Sequence, residues 1–324
     1  MKMKALADLR VFVRTAELGS LSAAARQLDQ SPAVASAALK RLEAELDAQL
    51  FVRSTRSLRL TAEGERFLAH AREALRSLDE GAQSLRGDGG ELRGELRISA
   101  PSDFGRHALL RWLETFQRSH PRLQLRLQLS DRVADIYRQP VDVALRYGVP
   151  PDSSLIALPL LPGNRRVLCA APDYLDRHGA PDTPLRLGEH NCLRFMLSDE
   201  LHTLWRFTSP DGKPHAVEVR GDRISDDGEA VHRWALAGLG IAYKSWLDVA
   251  DDLAAGRLLP LCEGWRGEAT PLHLVSPDRR LLSPAVQRLR EFLAERCRET
   301  AAASGHDADA AGDRTLTPAA RNSA

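Results

Sequence analysis

Apolar residues recur every third or fourth position through the first part of the chain and every second position in much of the remainder; the change falls near residue 94. In LADLRVFVRTAEL, residues Leu6, Leu9, Phe12, Val13 and Ala16 form one stripe at helical spacing. Gly19 stops that helix, and Ser20 can cap a second, SLSAAARQL, with Leu21, Ala24, Ala25 and Leu28 turned inward. After a turn at Asp29-Gln30, SPAVASAALKRLEAEL begins firmly: Ser31 suits an N-cap, and Pro32 suits the first turn, where its missing N–H costs nothing. Val34, Ala35, Ala38, Leu39, Leu42 and Leu46 share its core face, while Ala33, Ser36, Ala37, Lys40 and Arg41 lie opposite.

QLFVRSTRSLRLT then reads as two short strands around a Ser/Thr-rich turn. Three helices, the last two joined tightly, followed by a basic hairpin, make a winged helix-turn-helix plan over residues 1–60. Thr61 can cap a long helix over residues 61–86, with Glu63 and Glu65 near its positive end. Leu68, Leu75, Leu78, Ala82 and Leu85 make a narrow seam at near-heptad spacing, as in a helix paired with a second copy; a surface helix lying on its own domain is the other reading. Residues 87–93 read as a hinge.

From residue 94, GELRISAPS and LQLRLQLSD alternate as strands around the helical FGRHALLRWLETFQRSH, and VDVALRYG follows a short helix at ADIYRQ. Strand–helix–strand order implies a parallel α/β sheet. Further strands are expected at SLIALPLL, RRVLCAAP, IAYKS and TPLHLVS, a hairpin turning at Asp211-Gly212, and a helix at EAVHRWALAGLG. The last helix, SPAVQRLREFLAERCRE, turns Val286, Leu289, Leu293 and Cys297 inward. Residues 301–324 hold one leucine and no aromatic residue, too little to bury, and read as a disordered tail.

Composition changes this picture little. The 324 residues suit about two domains, and 45 basic against 44 acidic side chains say nothing of partners. Locally, residues 1–60 carry ten Lys/Arg against six Asp/Glu, a weak sign of nucleic-acid contact. No run approaches a membrane span, and MKMKALADLRVF has no secretory h-region, so a cytoplasmic protein is expected. Four cysteines, far apart in sequence, read as reduced thiols. The histidines look scattered, and neither a metal nor a cofactor is expected.

LGSLSAAARQLDQSPAVASAALKRLEAELDAQLFVRSTRSLRLTAEGERFL resembles the N-terminal signature of LysR-type transcriptional regulators, through Ser20, Ala24-Ala25, Ser31, Ser36, Leu42-Glu43, Leu50-Phe51, Arg53 and Leu60-Thr61. The remainder resembles the type 2 periplasmic-binding-protein fold over 94–300, implying lobe one at 94–160 and 269–298 and lobe two at 163–266. Family members often carry a long polar residue where Ala37 or Ala38 stands, and glycine where Asp47 stands. The resemblance implies a homo-oligomer, dimeric through the linker helix and tetrameric through the α/β domains. It also implies an interrupted inverted repeat in promoter DNA as target, and a small-molecule effector held between the lobes.

An alanine-lined helix can approach the major groove closely and touch thymine methyls. The expected DNA contacts are Ser20, Ser31, Pro32, Ala33, Ser36, Ala37, Lys40 and Arg41, with Arg53 and Arg56 of the wing entering a minor groove. Ligands of open α/β sheets sit beyond strand carboxyl ends. The expected effector contacts are therefore Pro101, Ser102, Asp103, Arg146, Phe195, Asp226 and Asp227. Ser102 and the N–H groups after it suit a carboxylate or hydroxyl, Arg146 a carboxylate, and Phe195 a ring. Alternatively, Arg146 pairs with Asp103 or Asp142, and Phe195 is core. Two rivals stay open: a winged-helix DNA-binding protein that senses nothing, and an enzyme on the two-lobed fold. No GxSxG, HExxH or GxxxxGK[ST] motif is present, no catalytic residue is assigned, and the GLG at 238–240 is a helix stop.

Overall fold

The computed structural model describes residues 6–53, 58–84, 92–132, 141–148, 155–197, 200–276 and 283–305. The chain divides into two compact units, residues 1–90 and 91–324.

The first unit comprises α1 (Leu6–Leu18), α2 (Leu21–Gln27), α3 (Pro32–Leu46), the antiparallel strands β1 (Phe51–Arg53) and β2 (Leu58–Leu60), and α4 (Ala62–Ser84). Ser20 and Ser31 cap α2 and α3, accepting from the N–H groups of Ala23 and Val34. Phe12 is fully buried, with ring centroids 5.6 Å from Phe51 and 5.5 Å from Phe67. Glu43 ties α3 to the wing, its Oε1 accepting from the N–H groups of Leu50 at 2.9 Å and Phe51 at 3.3 Å. Asp47 ends α3 in the left-handed region, φ 49°, which explains why glycine suits that position and why aspartate is tolerated there.

Two expectations fail in this unit. Val34 is 52% exposed, because the covered stripe of α3 runs through Ala35, Ala38, Leu39 and Leu42 and Val34 flanks it in the first turn. Leu68 and Leu75, expected to face a second copy, pack with Phe67, Ala71 and Ala74 against the core of their own unit. Leu78 stays exposed; the side chain of Ala82 and all of Leu85 lie outside the described residues.

The second unit opens with β3 (Gly94–Ala100), followed by α5 (Ser102–Phe104), a π turn at Gly105–Leu109, α6 (Leu110–Ser119), β4 (Leu123–Leu129), β5 (Val143–Tyr147) and β6 (Ile156–Leu161). The ADIYRQ helix expected between β4 and β5 lies outside the described residues. The chain then enters lobe two through β7 (Arg166–Ala170), α7 (Pro172–His178), β8 (Cys192–Leu197), β9 (Glu200–Leu201), the hairpin β10 (Leu204–Thr208) and β11 (Pro214–Glu218), and β12 (Ile224–Ser225). It continues through α8 (Gly228–Leu236), β13 (Ile241–Ser245), α9 (Trp246–Ala254), β14 (Leu259–Leu261) and β15 (Arg266–Gly267). Lobe one is completed by β16 (Leu272–Ser276) and α10 (Pro284–Ala303).

Strand order in lobe one is β4-β3-β5-β16-β6, with β3 parallel to both β4 and β5; lobe two follows β12-β8-β13-β7-β14. The chain therefore crosses twice between two α/β lobes. Helix α9 joins both cores: Trp246, Leu247 and Ala250 pack into lobe one, Val249 into lobe two. α10 buries Val286, Leu289, Leu293 and Cys297 against lobe one.

Candidate functional site

On the first unit, α3 presents Pro32, Ala33, Val34, Ala37 and Lys40 to solvent, with Ser36 half-buried. The nearly bare face of the helix is thus a small apolar surface with a cation, Lys40, at its far end. Arg41 is exposed as well, but its guanidinium is committed, donating from Nε at 3.0 Å and Nη2 at 2.7 Å to the buried carboxylate of Asp8. That pairing raises the guanidinium pKa through the hydrogen bond to Asp8 and makes Arg41 a brace between α1 and α3. Ser20 and Ser31 are occupied as caps, so their hydroxyls shape the helix starts. Arg53 ends β1, and Arg56 lies outside the described residues.

In the second unit, residues after β3 meet the start of α8 across the two lobes. Asp131, just beyond β4, accepts from Ser102 N–H at 2.9 Å, from Ser102 Oγ, and from Gly228 N–H at 2.8 Å. The N–H of Glu229 reaches Ser102 Oγ at 3.3 Å. The donors expected to hold an outside carboxylate therefore hold the protein's own. Asp227 caps α8, accepting from Glu229 and Ala230 N–H groups, and lies 3.5 Å from Arg106; Asp226 is exposed, 3.7 Å from Arg132. Pro101 places its carbonyl on Gly105 N–H at the helix start.

Behind this edge sits a buried ionic cluster. Asp103, 2% exposed, pairs through Oδ2 with Lys244 and through Oδ1 with His232 Nδ1 at 2.8 Å. Lys244 donates to Gly228 O at 2.9 Å and lies 3.6 Å from Asp248, which accepts from Tyr147 OH. Burial alone would raise the Asp103 pKa, but Lys244 and His232 hold it below the ordinary range. Burial pulls Lys244 and His232 down, and the facing carboxylates more than offset it in both. Asp248, buried and beside Asp103, is pushed up to about 6.

Two expected effector contacts point elsewhere. Arg146 is buried and donates to Ser99 Oγ and Leu145 O, both at 2.7 Å, so its guanidinium is engaged in its own sheet. Phe195 lies half-buried on β8 against the core of lobe two. The sequence reading missed Asp131, His107, Glu229, His232, Lys244 and Asp252. The signal available was spacing: Asp103 and His107 are four apart, and Glu229 and His232 three apart, so each pair shares a helix face.

Residues 6–65 match the family model described as bacterial regulatory helix-turn-helix protein, lysR family, and residues 89–298 match the LysR substrate binding domain. The HTH-type transcriptional regulator DmlR of Escherichia coli is 36% identical over 254 residues, covering 78% of this chain and 82% of DmlR. The HTH-type transcriptional activator TtdR of the same species is 32% identical over 292 residues, covering 90% of this chain and 93% of TtdR. The solved structure of CrgA, a LysR-type transcriptional regulator from Neisseria meningitidis, is similar at a TM-score of 0.57 and 29% identity, covering 91% of this chain and 99% of CrgA. A winged helix-turn-helix unit and a two-lobed α/β unit, each matched by its own family model, identify this chain as a member of the LysR family, a DNA-binding transcriptional regulator tuned by an effector.

Proposed function

We propose that the effector is a small carboxylate that takes the place of Asp131 between the lobes. The observation that carries this reading is the set of three donors, Ser102 N–H, Ser102 Oγ and Gly228 N–H, converging on one carboxylate at the start of α8. Backbone N–H groups at a helix start favour an anion. An incoming carboxylate competes with Asp131 for them and changes how the lobes are joined. The ligand acts only through a difference in affinity between the two arrangements. Ser102 and Gly228 are its primary partners and Asp131 the competitor it displaces; Pro101 sets the helix start, Asp227 holds α8, Asp226 lies at the rim, and Arg146 supports β3 from behind.

On DNA, α3 enters the major groove with Ala33, Val34, Ala37 and Ser36 against bases, and Lys40 on a phosphate. Arg53 and Arg56 serve the wing. The DNA-binding domain is residues 1–60 and the linker helix 61–86; because Leu92 is buried in the core of lobe one and α10 runs to Ala303 with Ala301 buried, the hinge is 87–91 rather than 87–93, the effector domain 92–303 rather than 94–300, and the tail 304–324 rather than 301–324. The protein works in the cytoplasm as a homodimer on an interrupted inverted repeat, with Leu78 and the residues after it on α4 as the pairing seam. A dimer of dimers forms through the α/β domains.

Fluorescence anisotropy on DNA from upstream of the gene, against a scrambled duplex, with and without a panel of small mono- and dicarboxylates, tests this reading. The expected result is binding that falls with salt, exceeds the scramble and shifts with one carboxylate class. Specific binding that no carboxylate alters would overturn the effector assignment.

A further inference from the structure

The histidines next to the lobe junction are not scattered in space. Asp103 and His107 stand on the helical segment after β3, and Glu229 and His232 on α8, so lobe one and lobe two each contribute two residues. One ligand atom from each of the four lies within 4.8 Å of the others. Asp103 Oδ1 is 2.8 Å from His232 Nδ1 and 3.5 Å from His107 Nε2, and His107 Nε2 in turn meets Glu229 Oε2. The two imidazole rings pack with centroids 4.7 Å apart.

Three of the four donors have a charged group against their outer atoms. Lys244 holds Oδ2 of Asp103, and Arg233 holds Oε1 of Glu229. Asp252 lies 2.9 Å from Nε2 of His232 and is itself held by Arg257. Nδ1 of His232 is the nitrogen hydrogen-bonded to Asp103, so a cation takes its lone pair by displacing the proton shared there, with Asp252 close to Nε2 to accept a hydrogen bond from it in that state. The inner atoms, two nitrogens and two carboxylate oxygens, then converge on one point. Asp103, Glu229, Asp248 and Asp252 are all buried, with Lys244, Arg233 and Arg257 paired to three of them. A π turn spans Gly105–Leu109, and it is this irregular turn that carries His107.

We infer that Asp103, His107, Glu229 and His232 form a binding site for a divalent transition-metal cation of the zinc class, bridging the two lobes. Two imidazoles and two carboxylates suit four-coordinate zinc, and the shortest gaps between inner atoms open slightly as the cation displaces the protons shared between them. Calcium and magnesium, which prefer more oxygen ligands, fit this donor set poorly. The cation would fasten α8 to the helical segment of lobe one and favour the joined arrangement. The inference is independent of the carboxylate reading, because none of the four donors belongs to the Ser102–Asp131–Gly228 set.

The test uses the full chain, stripped with a chelator and titrated with cobalt(II), then zinc(II), in a buffer free of carboxylates. The expected result is one cobalt per chain with visible absorption bands of four-coordinate nitrogen–oxygen ligation, bleached by zinc, and a higher melting temperature with either metal. His107→Ala and Glu229→Gln should each abolish the bands. Asp252→Asn should weaken binding by about 10–100-fold. Melting in chelator shows which variants remain folded, and the isosteric Glu229→Gln decides the matter if His107→Ala does not. Absence of the bands in the parent protein, or bands that survive in folded Glu229→Gln, would overturn the proposal and leave the carboxylate assignment untouched.

Discussion

Replacing Asp131 by alanine separates the roles this carboxylate combines. Of its three hydrogen bonds, the one from Gly228 N–H crosses between the lobes; the two from Ser102 stay within lobe one. A hydrogen bond to a charged acceptor contributes about 1.5–3 kcal/mol. Asp131 is half-buried, so solvent screening reduces the crossing bond to about 1–1.5 kcal/mol, close to a tenfold change in the balance between joined and parted lobes. Hydrogen exchange followed by mass spectrometry over residues 225–236 should then show Gly228 and Glu229 exchanging about tenfold faster, with the strands of both sheets unchanged. Calorimetry should show the effective carboxylate binding about tenfold more tightly, because its internal competitor is gone. Unchanged exchange would refute the latch. Faster exchange with weaker carboxylate binding would refute the idea that Asp131 stands where the ligand goes, and would make it a ligand-supporting residue instead.

Three other outcomes are expected from the packing and the charges. Phe12→Ala should cost about 3–5 kcal/mol, much of what a unit of that size possesses, and abolish DNA binding while the second unit still melts cooperatively; retained affinity would refute its central place. Gly64→Ala puts a Cβ 2.2 Å from the Leu50 carbonyl oxygen, so α4 must shift against the wing, lowering stability by about 1–3 kcal/mol in chemical denaturation. Glu268 accepts from Arg206 N–H and pairs with His202 and Arg166; burial would raise its pKa, but these partners hold it below the ordinary 4.5. Its folded-state value being depressed, its stabilisation is complete above about pH 4.5 and fades as pH falls through that lower value. Glu268→Gln should flatten this acid-side loss in a pH series of melting temperatures.

The first unit was largely legible because its helices advertise themselves locally: serine caps, a proline in the first turn of α3, and stripes whose spacing matches their burial except at Leu6 and Val34, both in first turns and exposed. What misled there was tertiary. Leu68 and Leu75 have coiled-coil spacing, yet a heptad seam and a helix lying on its own core differ only in what covers them. Arg41 faces outward as its position requires, but its partner Asp8 is on another helix, and no local pattern in α3 announces it. In the second unit, alternation marked β3 and β4, and the strand ends marked Ser102 and Asp103 as site residues. Asp131, the partner of Ser102, stands 29 residues on beyond β4, while the partners of Asp103 come from α8 and β13, more than a hundred residues on, joined by crossovers that periodicity does not record.

The same geometry says which side of the junction moves. Helix α9 is wedged between the lobes with Trp246, Leu247 and Ala250 in one core and Val249 in the other; parting the lobes there would expose buried apolar surface at about 25 cal/mol per Å². At the start of α8, by contrast, contact is made through hydrogen bonds and ion pairs of Asp131, Ser102, Asp103 and Glu229, groups that water can satisfy when the lobes part. The net cost of opening that edge is a small difference between large terms, whereas the α9 side has no such replacement. The lobes should therefore rotate about α9 and part at α8. A ligand that competes for the donors at that edge, or a cation that adds bonds across it, needs only a few kcal/mol of preference for one arrangement to set the state of the regulator.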